Sequence, residues 1–334
     1  MRLTPTASPP RAPGAREGGP GAPPIAEFAV GDRWCGPEAI AAGEDGALWF
    51  TCRGALGRIT TSGDATVVAL GGDPTDVAAG PDGALWATLP GAVARITLAG
   101  VVALLPAGPG AAADLTAIAS AAGDEVWITS ASPAALLRVG PEGERERHTA
   151  GLGRGSRPAA AVADGQGGVW FADGLTPARL LHADRDGWIS GVGLGPGREP
   201  VAAVAADPQG GVWYVHGDVI GRLDPDGDGQ ETWRGLTPGG RPAGIAAAPG
   251  GGVWFTSPGA GGRIGRIDAR GDVEETRAGL TPDGGPHGIA IGPDGAAWFT
   301  LRTAGRVGRI ADRGSAGPVA PGEQGGLVAR GVDG

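Results

Sequence analysis

The chain has 334 residues, of which 67 are Gly and 30 are Pro, a share that signals low complexity in an aperiodic sequence, yet 41% of it is hydrophobic and ten residues are Trp, which argues against disorder. A formal net charge of -9, with N-terminal basic residues only as the thin scatter Arg2, Arg11 and Arg16, excludes an electrostatic grip on nucleic acid or anionic lipid. No apolar run approaches the roughly 20 residues that span a bilayer, and two cysteines, Cys35 and Cys52, are too few for a disulfide framework or a sulfur-rich zinc site.

In chain order, residues 1–23 lack the apolar stretch of a secretory signal and read as a flexible Pro/Gly/Ala tail, which points to the cytoplasm. Residues 24 to 30, PIAEFAV, read as a strand without a repeat of its own. Periodicity then takes over. Aligned on Trp, the copies are GALWFT (Trp49), GALWAT (Trp86), DEVWIT (Trp127), GGVWFA (Trp170), GGVWYV (Trp213), GGVWFT (Trp254) and GAAWFT (Trp298), at intervals of 37 to 44 residues. Seven copies at that spacing predict an all-β fold, a seven-bladed β-propeller with four strands per blade.

The last copy shows one unit: PHGIAIG (286–292) as inner strand, PDG (293–295) as turn, AAWFT as second strand and GRVGRI (305–310) as third. Gly in the turn triplet supplies the positive φ that a tight hairpin needs. A fourth strand follows in most copies, as in VEETR (273–277) and QETWR (230–234). After Ile310 the sequence becomes too rich in Gly and Pro for an outer strand. The N-terminal strand is therefore expected to complete blade seven and close the ring, with the propeller spanning 24–313 and a Gly-rich flexible tail at 314–334.

In such a blade the fourth-to-first and second-to-third connections share one face, so two positions per repeat line the channel mouth. Eleven residues before each Trp stand Glu38, Thr75, Thr116, Ala159, Ala202, Ala243 and His287, with Val201 as the occupant in copy five if that copy is slipped by one. Four residues after it stand Arg53, Pro90, Ala131, Gly174, Gly217, Pro258 and Arg302. Glu38, Arg53, His287 and Arg302 thus converge on blades seven and one. Guanidinium groups suit a carboxylate or ester carbonyl, and a His of near-neutral pKa suits a general base; the plainer reading is a solvated loop surface whose charges pair with one another. Blades four to six offer apolar residues at the first position.

Elsewhere, DPDGDG places Asp224, Asp226 and Asp228 at the alternate spacing of a calcium loop, but the position for the bidentate Glu is Gly235, so a hairpin turn is the simpler reading. His148, His182 and His216 show no repeat-phased partner, and His182 reads as a surface residue. Cys35 and Cys52 fall on mouth loops of blade one and could approach each other; in a cytosolic protein they are expected as free thiols.

The phrase GPxGIAxGPDGALWFT…GRIGRI, nearly whole at 285–310 and worn in six other copies, resembles the virginiamycin B lyases, also called streptogramin lyases. The resemblance implies a lyase that opens a cyclic depsipeptide antibiotic by elimination across its ester, with the His of a PHGI motif as base, a magnesium ion held by two glutamates, and a second His contacting substrate. The base falls on His287. The two magnesium ligands fall on Gly285 and Arg302, and the second His on Ala243, so the implied cofactor lacks its ligands here. Carried onto this chain, the catalytic candidate is His287 and the substrate-binding candidates are Glu38, Arg53, Thr75, Thr116, Ala243 and Arg302. Three readings stand side by side: a lyase bearing on antibiotic resistance, a module that binds a small cyclic peptide or other small molecule without turnover, and a scaffold whose site is vestigial. The expected protein is a monomer with neither nucleic acid nor membrane as partner.

Overall fold

The computed structural model describes residues 16–17, 25–30, 35–107, 114–175, 177–195, 199–225, 229–234 and 236–312. Most of the two expected tails, together with Asp226 and Asp228, lies outside the described residues. Seven antiparallel four-stranded sheets follow one another along the chain, and the described residues contain no helix.

Blade one comprises Ile40–Ala42, Ala47–Cys52, Ala55–Thr60 and Ala65–Ala69. Blade seven is built from Pro286–Ile291, Ala297–Leu301 and Arg306–Ile310, and its outer strand is Ala26–Ala29 from the other end of the chain. That strand pairs antiparallel with Arg306–Ile310, Ala26 opposite Arg309 and Ala29 opposite Arg306, closing the ring as the sequence predicted. Phe28 stacks on Trp298 at 5.5 Å, and Glu27 accepts the backbone N–H of Thr281 at 2.6 Å. A further two-residue strand, Arg16–Glu17, pairs parallel with the outer strand of blade six, Val273–Thr276.

The repeated letters now have physical reasons. Each repeat Trp lies opposite a residue of the third strand, in six blades an Arg, whose guanidinium sits 5.1 to 6.0 Å from the indole centroid. In blades one, two and seven the turn Asp joins the two: Asp294 accepts from Trp298 Nε1 at 3.0 Å and from Arg309 Nε at 2.7 Å, and Asp45 and Asp82 do the same for Trp49 with Arg58 and Trp86 with Arg95. In blade four the Arg is replaced by His182, which packs on Trp170 at 4.5 Å and bonds Asp164 at 2.8 Å. His182 therefore has the repeat-phased partner that the sequence reading missed; register across strands, not spacing along the chain, reveals it.

The Gly of the recurring GRI has a different cause. Gly57, Gly221, Gly265 and Gly308 lie opposite Phe50, Tyr214, Phe255 and Phe299, and a Cβ on any of them would come within 2.2 Å of the facing ring. Between blades, apolar faces meet: Ile40, Leu48, Phe50 and Ile59 of blade one pack with Trp298 and Val307 of blade seven. Removing one such buried Trp costs about 3–5 kcal/mol.

Cys35 and Cys52 are not free thiols: they form a disulfide, with their Cα atoms 4.7 Å apart. The expectation failed because it was drawn from compartment. The topology sets the two residues side by side, the Arg53 N–H donating to the Cys35 carbonyl at 3.0 Å.

Candidate functional site

Two structural devices shape the mouth. Inner strands carry bulges at this end, so that Thr116, Ala202 and His287 have no partner in the ladder of the second strand. Below them runs a seam of buried threonines two residues after the repeat Trp. Thr300 Oγ1 accepts from Gly288 N at 2.9 Å and donates to the Glu38 carbonyl at 2.8 Å, joining blade seven to blade one. Thr256 does the same between blade six and the His287 carbonyl. Both backbones that carry the candidate base and its acidic neighbour are thus fixed by hydroxyls of the preceding blade. The Thr of the repeated WFT is the sequence signal of this seam, although spacing along the chain shows it only as part of a strand.

On that frame His287 Nε2 lies 3.7 Å from Glu38 Oε1, and Arg302 Nη1 lies 3.4 Å from the same oxygen. All three are partly solvent-accessible, with side chains 36% (His287), 44% (Glu38) and 56% (Arg302) exposed. Partial burial lowers the proton affinity of His287 below the ordinary imidazole value; the Arg302 charge adds to this, while the Glu38 carboxylate and carbonyl oppose it. The net direction favours the unprotonated imidazole, and Glu38 bridges it to the Arg302 cation.

The remaining candidates are placed differently. Arg53 is exposed on the same face, and its guanidinium is within ion-pair distance of no carboxylate among the described residues. The Thr75 hydroxyl bonds Thr88 Oγ1 at 2.7 Å and donates to the Leu115 carbonyl at 3.0 Å; Thr116 bonds Thr129 at 2.8 Å and donates to the Pro158 carbonyl at 2.7 Å. Both belong to the seam between blades. Ala243 adjoins Gly244, where an added Cβ would come within 2.3 Å of the His287 carbonyl, so it borders the base. Asp224 lies 3.5 Å from Arg222, and the rest of the calcium candidate falls outside the described residues. Beside Ala243 a cavity of about 430 Å³ opens on this face, lined by Pro200, Ala202, Arg241 and Pro242 among others; another, of about 560 Å³, lies nearer blade seven and is lined by Arg263, Glu275 and Asp283 among others.

A divalent metal does not fit. Gly285 has a φ of +66°, and a Cβ there would meet Thr303 Oγ1 at 2.6 Å, so a carboxylate-bearing residue would be both strained and crowded. Arg302 presents a cation where the second ligand would stand. Among the described residues no group of three or more His, Cys, Asp or Glu side chains could hold a metal ion.

Fold and mouth together define a seven-bladed propeller, closed by its own N-terminal strand, with a compact charged cluster over the closure seam. The model of the virginiamycin B lyase family matches residues 21–200 and 195–327, and the chain belongs to that family. No curated protein matches it in sequence. Among solved structures it is similar to a streptogramin B lyase, at 22% identity and a TM-score of 0.79 over 86% of this chain and 96% of that one. Virginiamycin B lyase from Staphylococcus aureus is similar at 21% identity and a TM-score of 0.78, over 86% and 99%; a catalytically inactive variant of that protein has been solved with quinupristin. The extracellular domain of a hybrid two-component system from B. thetaiotaomicron matches at 13% identity and a TM-score of 0.66, over 86% of this chain and 42% of that one. At these identities the likeness is one of fold.

Proposed function

We propose that this propeller binds a cyclic depsipeptide, or a similar small molecule bearing an ester, at the His287 mouth and opens it by elimination without a metal ion. The observation that carries the reading is the contact of Glu38 with both His287 and Arg302. His287, whose lowered proton affinity favours the free base, takes the proton from the carbon beside a carbonyl. The electron pair forms the new double bond, the neighbouring carbon–oxygen bond breaks, and the ester leaves as a carboxylate. Arg302 hydrogen-bonds the oxygen on which negative charge develops, the part that a Lewis acid plays elsewhere. Arg53 is free to take a second carbonyl or the departing carboxylate. Small residues on blades five and six leave room for the apolar part of the ring.

The test is incubation of the purified protein with a type B streptogramin in chelator, read by mass spectrometry. The reading expects a linear product that has gained no water and carries a dehydrated residue. A hydrolysed product, or none at high protein concentration, contradicts it. Removing one stabiliser of the developing charge costs about 100-fold or more in rate, the loss expected for Arg302→Met with binding largely kept. Saturable binding without turnover would favour the non-catalytic module.

A further inference from the structure

Both cysteines of the chain sit against the candidate site: Cys35 is three residues before Glu38, Cys52 immediately precedes Arg53, and the Arg53 N–H donates to the Cys35 carbonyl. We propose that the Cys35–Cys52 disulfide is a redox control on the mouth, holding Glu38 against His287 and Arg302 in the oxidised protein and releasing it on reduction. The bond and the Arg53 hydrogen bond tie the segment entering blade one to the end of its second strand. On its other side that segment is held by the Glu38 carbonyl, which accepts from Gly288 N at 3.0 Å and from Thr300, and by Ala39, whose N–H donates to Thr51 Oγ1 at 3.0 Å. Cys35 to Pro37 therefore depends on the disulfide more than Ala39 does. The Glu38 side chain stands at the boundary between the two anchors.

The reductant is a dithiol. It delivers two electrons and two protons: the sulfur–sulfur bond breaks, each cysteine gains a proton, and the dithiol closes to its own disulfide. Both sulfur-bearing residues are buried, Cys35 8% and Cys52 6% exposed, so exchange awaits local opening of the mouth. A bound ligand that holds the mouth shut slows it.

The test uses the full chain in three forms: oxidised, reduced with dithiothreitol with thiols counted, and Cys35→Ala/Cys52→Ala. The chain has four His, so the imidazole resonances can be assigned with a His287→Ala variant. On reduction, and in the double variant, the His287 signals should shift and its titration midpoint should fall, because a nearby carboxylate has moved away, while His148, His182 and His216 stay unchanged. In the same samples affinity for a type B streptogramin should drop about tenfold, the worth of one charge-assisted hydrogen bond. The ligand arm rests on the proposed function; the imidazole arm does not, so absence of binding in every form would sink that reading alone. Unchanged His287 signals in the fully reduced protein would overturn the proposal, and so would movement of all four His together, since the bond would then support the fold and not the site.

Discussion

Gly250 occupies the turn position at which blades one, two and seven carry Asp, and its neighbours register the loss. Trp254 Nε1 is buried without a hydrogen-bond partner, and Arg266 pairs instead with Asp312, at 2.8 Å, from beyond the third strand of blade seven. An added Cβ at residue 250 meets only Arg266 Nη2, at 3.9 Å. Gly250→Asp should therefore stabilise the protein by about 1 kcal/mol, through a satisfied indole and a less flexible unfolded chain, and raise its thermal midpoint. An unchanged or lower midpoint would contradict the role assigned to the turn carboxylates. The reverse change is Gly308→Ala, which places a methyl 2.2 Å from the Phe299 ring and should cost about 1–3 kcal/mol in denaturant unfolding. These roles were half legible in the sequence. Gly in PDG could be read as turn chemistry, whereas Asp, Trp and Arg of one blade meet only after three strands pair, and no linear spacing gives that.

At the scale of elements, the closing strand and the disulfide act at the same seam. Truncation of residues 1–31 removes Ala26–Ala29, the Phe28 stack on Trp298 and the bond from Thr281 to Glu27; truncation of 1–22 removes none of these. The first should lower the calorimetric midpoint sharply and the second only slightly; equal effects would mean that the ring does not depend on its closure. The disulfide closes a short loop, its cysteines 17 residues apart, and in the chain-entropy account a loop of that size contributes about 3 kcal/mol. The double alanine variant should lose stability of that order in urea. The strand was foreseeable because it had alternating apolar residues and no repeat to belong to. The bond was half legible: the repeat register puts both cysteines on mouth loops of blade one, where they could approach, and only the expected compartment argued for free thiols.

For the whole molecule, pH separates two kinds of carboxyl. Burial pushes Asp45, Asp82 and Asp294 up, but bonds from Arg, Trp and backbone amides outweigh it and hold all three below the usual range. Their stabilisation is present above about pH 4 and is lost as pH falls through their lowered values. Asp76, on the inner strand of blade two, goes the other way: burial raises it to about 6 against bonds from Ile118 and Val77. The folded protein then holds a proton that the unfolded chain has released, so stability contributed here falls between about pH 4 and 6 and is flat above. His287, lowered, has the opposite slope below about pH 6.5 and is common to both proteins in a comparison of wild type with Asp76→Asn. Asp76→Asn should remove the decline between pH 4 and 6; a decline of equal size in the variant would show that Asp76 titrates normally.

The mouth was the most legible part of the site, because two positions per repeat sufficed to bring His287, Glu38 and Arg302 together. Thr75 and Thr116 belong to the seam instead, since a hydroxyl beside two carbonyl-bearing strands satisfies them before any ligand can. What the arrangement does is decided most directly by one measurement: turnover of a type B streptogramin in chelator, compared between wild type and His287→Ala. The expected result is a linear elimination product from wild type, its rate rising with pH to a plateau whose midpoint lies below the ordinary imidazole value and unaffected by added magnesium, with loss of product in the variant. Product formation that requires magnesium, or that survives in His287→Ala, would contradict a metal-independent site built on this base.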